Sequence, residues 1–222
     1  MKTVTLFGDS ILYGIIVNPE NLKYAKCPDY DLRSIGANFD CDLLNISQMG
    51  RNSSEGLEEI KLYLTRHPAP DYAIIEFGGN DCDHNWIEIT NGKHGHVKIP
   101  KADFVANLTN MVNLLQSYGT KVALMNMPPV ESESFYEWVA RDSVAKSNIK
   151  AYLGDVGTIY SVHESYSLAI NKLATTLNIP LIDIRSPFGS NPHDLLCVDG
   201  VHPNEKGYAL IKEKLEEYLK SL

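Results

Sequence analysis

The sequence predicts an α/β fold in which a central, mostly parallel five-stranded sheet lies between two layers of helices. Short β-rich runs alternate with longer segments whose apolar residues recur every three or four positions, a pattern typical of βαβ units. Turn residues bound each run. The 222 residues, 44% of them hydrophobic, are enough to bury one substantial core. We therefore expect a single three-layer α/β/α domain over residues 1–222.

Five strands and four long helices follow from this pattern in chain order. The strands are predicted at residues 3–7, 42–46, 72–77, 121–125 and 181–184. The helices are predicted at residues 53–66, 101–117, 156–177 and 204–222. The last helix has an apolar face made of Tyr208, Ile211, Leu215 and Leu219. Because Lys and Glu residues lie between them, we expect this face to pack on the core and not on a membrane.

Composition argues against two classes of partner. A formal net charge of -8, with no stripe of Lys or Arg, argues against nucleic acid. No stretch approaches the roughly 18 uninterrupted apolar residues of a membrane span, and Asp9 interrupts the N-terminal apolar run, so we expect neither membrane insertion nor export. The four scattered cysteines form no Cys-x-x-Cys pair, which favours reduced thiols and a cytoplasmic protein. Nothing in the sequence indicates which oligomeric state the protein has.

Polar residues are concentrated in loops that follow the predicted strands. Residues 8–10 follow the first strand, residues 48–52 the second and residues 78–81 the third, while residues 199–203 precede the last helix. In open parallel sheets, ligands bind beyond the carboxyl ends of the strands, where such loops converge. We therefore expect these four segments to meet at one site.

The Gly8-Asp9-Ser10 segment predicts a nucleophile. A serine at the end of a buried strand is held on a rigid element with its hydroxyl exposed, as covalent catalysis requires. Such a serine needs a base, for which His202 is the candidate, and Asp199 lies three residues earlier, where it can orient the imidazole. The alternative is that residues 8–10 form only a turn and a helix cap.

The same loops offer donors for an oxyanion. The backbone N–H groups of Ser10 and Gly50 are candidates, because a glycine at position 50 allows a substrate to approach the backbone closely. The side-chain amide of Asn80 is the third candidate, since it is an uncharged donor. Together these groups would stabilise a tetrahedral intermediate.

A second Asp-x-x-His pattern, Asp81 to His84, leaves the choice of base open by spacing alone. We prefer His202, because Gly200 and Pro203 define a tight turn before a helix. Residues 81–84 and the nearby histidines at 94 and 96 also contain metal-ligand types, so a metal-dependent hydrolase is an alternative. We expect residues 87–100 to form a solvated loop and no metal site.

The ordered motifs resemble the SGNH or GDSL hydrolase superfamily from residue 6 to residue 203. Residues 8–11 match its first block with Ile11 in place of the usual Leu, Gly50 fits the second, residues 78–81 the third and residues 199–202 the last. The resemblance implies a flavodoxin-like fold and an ester hydrolase without a cofactor. It also implies Ser10 as nucleophile, His202 as base, Asp199 as its partner, and an oxyanion hole completed by Gly50 and Asn80.

We expect the substrate to be a small-molecule ester with a short acyl group, such as an acetyl ester of a sugar, because no long apolar lid is evident. Candidate substrate-binding residues are Asp9, Trp86, Tyr136 and Trp138. The segment between residues 129 and 156, which no strand needs, is expected to form part of the substrate wall. A lysophospholipase or thioesterase of the same mechanism, and a ligand-binding module without catalysis, are the remaining alternatives.

Overall fold

The computed structural model describes residues 1–140 and 142–222 and contains a central five-stranded sheet. Its strands, together with those of a small hairpin, are β1 (Lys2–Gly8), β2 (Ile15–Val17), β3 (Tyr24–Lys26), β4 (Cys41–Asn45), β5 (Tyr72–Glu76), β6 (Lys121–Met125) and β7 (Leu181–Ile182). The central strands are ordered β4-β1-β5-β6-β7, and every neighbouring pair is parallel. The predicted fold class is confirmed, and the strand order is that of flavodoxin-like folds.

Helices follow most of the strands. They are α1 (Ser10–Tyr13), α2 (Leu32–Ala37), α3 (Ser53–Arg66), α4 (Gly79–Cys82), α5 (Trp86–Thr90), α6 (Lys101–Ser117), α7 (Ser132–Val139), α8 (Ser143–Leu153), α9 (Thr158–Leu177) and α10 (Glu205–Ser221). Short 3₁₀ turns occupy Ser186–Phe188 and Pro192–Leu195. The four predicted long helices correspond to α3, α6, α9 and α10, whose ends lie within two residues of the predicted bounds.

The side chains of the inner strands alternate between two apolar layers, as the period of two in a strand requires. Leu6 and Ile74 face the layer formed with α2 and α10, whereas Phe7 and Ile75 face the layer formed with α3, α6 and α9. All four side chains are almost completely buried. Burial on both faces explains why these strands read as continuous apolar runs in the sequence.

Two segments differ from the sequence-based expectation. Residues 87–100 are not a simple solvated loop, because α5 lies at their start and packs its Ile89 against Ile149 of α8. The segment between residues 129 and 156 forms α7 and α8. Together with α5, these short helices form a small apolar cluster separate from the two layers of the sheet. Their contacts are made between segments distant in sequence, which local patterns do not register.

Candidate active site

Ser10 is the first residue of α1 and is separated from the end of β1 only by Asp9. Asp9 caps this helix, and its Oδ1 accepts a hydrogen bond of 2.9 Å from the Ile11 backbone N–H. A side chain at Gly8 would place its Cβ 2.8 Å from the Glu76 carbonyl oxygen, so the close pairing of β1 with β5 requires glycine there. The turn holds Ser10 at the carboxyl edge of the sheet, where it is 7% exposed.

His202 and Asp199 belong to one tight turn before α10. Oδ1 of Asp199 accepts hydrogen bonds of 3.1 Å from the backbone N–H groups of Val201 and His202. Gly200 in this turn has a φ of +69°, and a Cβ there would lie 2.5 Å from the Glu131 carbonyl oxygen. Conformation and space therefore both require glycine at this position.

The turn brings the imidazole between the two other groups. His202 Nδ1 lies 2.6 Å from Oδ2 of Asp199, and His202 Nε2 lies 3.0 Å from Oγ of Ser10. A carboxylate only accepts, so Nδ1 donates to Asp199 and Nε2 is left to accept the Ser10 proton. A hydroxyl, an imidazole and a carboxylate thus form a continuous hydrogen-bonded series, which can generate a nucleophilic serine.

Gly50 and Asn80 lie in the wall of the same cavity as Ser10. Gly50 has a φ of +81°, and a Cβ there would meet nothing within 4 Å, so its backbone is open to a bound molecule. Asn80 lies in the first turn of α4, and its Nδ2 donates a 3.0 Å hydrogen bond to Oδ2 of Asp9. The amide carries a second N–H that remains for an oxyanion. Asp9 therefore orients Asn80.

A second buried carboxyl group, Glu76, lies beneath Asp9. The Asp9 backbone N–H is 3.5 Å from Oε2 of Glu76, and Oε1 of Glu76 has no hydrogen-bond partner among the described residues. Both side chains are 1% exposed. Burial raises the pKa of Asp9, and burial together with the charge of Asp9 raises the pKa of Glu76 well above its usual range. We interpret the pair as an ionised Asp9 beside a protonated Glu76.

Aromatic side chains form much of the cavity wall. The cavity has a volume of about 210 Å³ and is lined by Trp86 and Trp138, two of the candidate substrate-binding residues. It is also lined by Tyr24 of the β2–β3 hairpin, which the sequence analysis missed. The Tyr24 ring meets the His202 imidazole edge to face at 5.4 Å and lies 6.4 Å from Trp138. The hairpin therefore covers one side of the imidazole.

Tyr136 does not line the cavity. Its hydroxyl donates a 3.1 Å hydrogen bond to the Lys146 carbonyl oxygen, and its ring packs on the small cluster that contains Ile149. The reason is helical geometry, because residues two apart on a helix such as Tyr136 and Trp138 point in nearly opposite directions. Phe135, three residues before Trp138, faces the cavity instead.

The Asp81–His84 segment makes other contacts. The Asp81 carboxylate accepts hydrogen bonds from the backbone N–H and the hydroxyl of Ser53, which tie α4 to the start of α3. Burial raises the pKa of Asp81 to about 6. His84 lines the cavity, and burial lowers its pKa, but the imidazole bonded to Ser10 is that of His202. Within residues 1–140 and 142–222, no three His, Cys, Asp or Glu side chains are grouped to hold a metal ion.

A serine, a histidine and an aspartate in hydrogen-bonded series, beside amide donors at the carboxyl edge of a parallel sheet, define the class of α/β serine hydrolases. The family model of the GDSL-like lipases and acylhydrolases matches residues 6–210. The chain belongs to this family and is an esterase or acylhydrolase, in agreement with the resemblance found from its motifs. No helix in the described part of the chain is long and apolar enough to cross a bilayer.

Solved structures support the fold. A lipase/acylhydrolase from Enterococcus faecalis is 21% identical, with a TM-score of 0.70, and the match covers 100% of this chain and 96% of that one. The psychrotrophic esterase EstA from Pseudoalteromonas is 19% identical, with a TM-score of 0.62 and coverage of 100% and 98%. An acetyl-xylooligosaccharide esterase from Geobacillus is 15% identical, with a TM-score of 0.64 and coverage of 98% and 94%. No curated protein sequence matches the chain.

Proposed function

We propose that this protein hydrolyses carboxylic esters through an acyl-Ser10 intermediate. The observation that supports this most directly is the series Ser10 Oγ, His202 Nε2, His202 Nδ1 and Asp199 Oδ2, with separations of 3.0 and 2.6 Å. Both separations are within hydrogen-bond range before any substrate binds, so little rearrangement precedes attack.

The reaction has two halves. Oγ of Ser10 forms a bond to the ester carbonyl carbon while its proton passes to Nε2 of His202. The carbonyl oxygen becomes an oxyanion facing the backbone N–H groups of Ser10 and Gly50 and the side-chain amide of Asn80. The carbon–oxygen bond to the alcohol breaks, and the alcohol leaves with the proton from His202. Water then attacks the acyl carbon, giving its proton to His202, and Ser10 departs with that proton as the carboxylic acid forms.

Short acyl groups, such as the acetyl group of a sugar ester, suit this cavity. Its volume of about 210 Å³ is small, and α5 and α7 border it with aromatic side chains. Trp86 and Trp138 offer flat apolar faces, which bind the faces of sugar rings well. The Geobacillus protein of similar fold is an acetyl-xylooligosaccharide esterase, which agrees with this choice. A lysophospholipase or thioesterase would use the same residues with a longer acyl chain.

The test of the mechanism is Ser10→Ala, with Ser221→Ala at the exposed end of α10 as the control. Hydrolysis of p-nitrophenyl acetate by Ser10→Ala should fall by about three orders of magnitude or more, and that of the control should stay at the wild-type rate. Retained hydrolysis by Ser10→Ala that is lost in EDTA would instead favour the metal-dependent alternative. An absence of ester hydrolysis in the wild type would favour the ligand-binding module.

The test of the acyl preference is a series of p-nitrophenyl esters of increasing chain length, followed by acetylated sugars. Because the cavity is small, we expect kcat/KM to be highest for acyl chains of about two to four carbons and to fall for chains of about eight carbons or more. A maximum of kcat/KM at long acyl chains would instead favour a lysophospholipase or thioesterase.

We also propose a cytoplasmic location, which the four free cysteines support.

A further inference from the structure

His163 is a buried histidine in the wall of the Ser10 cavity that the mechanism does not use. It lies on α9, is 7% exposed and lines the cavity. Much of the cavity wall is apolar and includes Met127, Val130, Phe135, Ile159 and Val162. A polar ring in such a wall needs a reason, because burying an unpaired polar group costs free energy.

Arg185 fixes the protonation of this ring. Nη1 of Arg185 lies 3.5 Å from Nδ1 of His163 and 3.4 Å from the Pro128 carbonyl oxygen. A guanidinium group only donates and keeps its proton, so Nδ1 must accept and the ring hydrogen must sit on Nε2. Burial, reinforced by the positive charge of Arg185, lowers the pKa of His163 to about 3, so the imidazole is neutral.

The guanidinium itself is held in place from two further sides. Nη2 of Arg185 lies 3.9 Å from a carboxylate oxygen of Glu164, and the guanidinium carbon lies 5.1 Å from the centre of the Tyr160 ring. The contact with Glu164 is electrostatic and not a hydrogen bond, since Nη2 of Arg185 is buried without a hydrogen-bond partner among the described residues. Among the described residues, none is hydrogen-bonded to Nε2 of His163, which leaves this N–H for a ligand in the cavity.

We propose that His163 is a specificity-determining residue that donates a hydrogen bond from Nε2 to an uncharged oxygen of the substrate, separate from the scissile ester. The inference rests on the proposed esterase function and deepens it. The substrates it selects are esters whose group against the α9 wall is short, mainly apolar and carries one ether, carbonyl or hydroxyl oxygen. A carboxylate is disfavoured at this place, because it would be desolvated in a cavity that also contains the carboxyl groups of Asp83 and Asp199.

The experiment compares esters that differ only by oxygen in place of a methylene group. One series places the oxygen at successive positions of the acyl chain, as in p-nitrophenyl 3-methoxypropanoate against p-nitrophenyl pentanoate. A second places it in the alcohol, as in 2-methoxyethyl acetate against butyl acetate. In the wild type, the oxygen ester should have the higher kcat/KM at one position by roughly three- to tenfold, the range of one neutral hydrogen bond.

His163→Phe removes the donor and should bring that ratio close to one, whereas His163→Gln, which keeps an N–H donor, should retain part of the preference. The ratio is the readout because a folding defect lowers the rates of both esters alike. The matched control is His67→Phe, which replaces an exposed histidine at the end of α3 and should keep the wild-type ratio.

The inference is overturned if the wild type shows no preference at any position, if His163→Phe keeps the preference, or if a carboxylate-bearing ester is the best substrate. Each of these leaves ester hydrolysis by Ser10 intact, whereas failure of the proposed function would show as activity in Ser10→Ala or as no ester hydrolysis by the wild type.

Discussion

Replacing Glu76 by glutamine should stabilise the protein increasingly as the pH rises. Glu76 is 1% exposed at the end of β5, next to the buried Asp9, and Oε1 of Glu76 lacks a partner among the described residues. Burial and the Asp9 charge raise its pKa well above 4.5 in the folded protein. In the unfolded chain, Glu76 titrates near its usual pKa of about 4.3.

The sign follows from proton counting. A carboxyl group whose pKa is raised on folding favours the folded state fully below the unfolded pKa, and this contribution is lost as the pH climbs towards the folded pKa. Between the two values the folded protein holds one proton more than the unfolded chain. The free energy of unfolding therefore loses about 1.4 kcal/mol for each pH unit through this group. Glutamine resembles the protonated acid and does not titrate, so Glu76→Gln removes this slope.

The assay is urea denaturation of the wild type and Glu76→Gln at pH 5, 6 and 7. The difference in the free energy of unfolding should grow in favour of the variant by about 1.4 kcal/mol per pH unit while the pH stays below the folded pKa of Glu76. Glu20→Gln, at an exposed turn before β3, is the control and should show a constant difference. A constant difference for Glu76→Gln as well would refute the assignment of a protonated Glu76.

Four further substitutions test the site and the core. Asn80→Ala removes the amide donor and should lower kcat by 10²- to 10³-fold with little change in KM. An effect confined to KM, with kcat unchanged, would contradict an oxyanion role. Trp138→Ala should change the ratio of kcat/KM between small and bulky esters, whereas Tyr136→Ala should lower the melting temperature and leave that ratio unchanged; the opposite pattern would show that α7 faces the other way. Gly56→Ala places a Cβ 2.3 Å from the Phe77 ring and should lower the free energy of unfolding by about 1–3 kcal/mol. An unchanged melting temperature would contradict this expectation.

The sheet and its long helices were predictable because their signals are local and repeated. The strand around Ile74 is apolar from residue 72 to residue 75 since both of its faces are buried, and α6 has the same residue bounds as its prediction. The turns after the strands can be recognised in the sequence by their glycine and polar residues. The family motifs fall in those turns, so the residues at Ser10, Asn80 and His202 could be selected before their positions were known.

The remaining parts of the site depend on contacts between distant segments. The β2–β3 hairpin has strands of three residues, too short for a pattern, and its Tyr24 contacts the imidazole of a residue near the other end of the chain. Tyr136 and Trp138 could not be separated without knowing that α7 is a helix and how it is turned. Glu76 and His163 did carry a signal, since each is a titratable residue in an otherwise buried pattern.

The separation of 192 residues between Ser10 and His202 has a consequence for synthesis of the enzyme. The imidazole that activates the serine is added only after all five strands of the central sheet, the last of which ends at Ile182, have been translated. Until the final helix docks, where the Tyr208 hydroxyl donates to the Ile15 carbonyl oxygen, the nascent polypeptide holds an unactivated alcohol. An ester thus meets no activated serine on a partly made copy, and cleavage of a finished copy between β7 and Asp199 would separate the serine from its base.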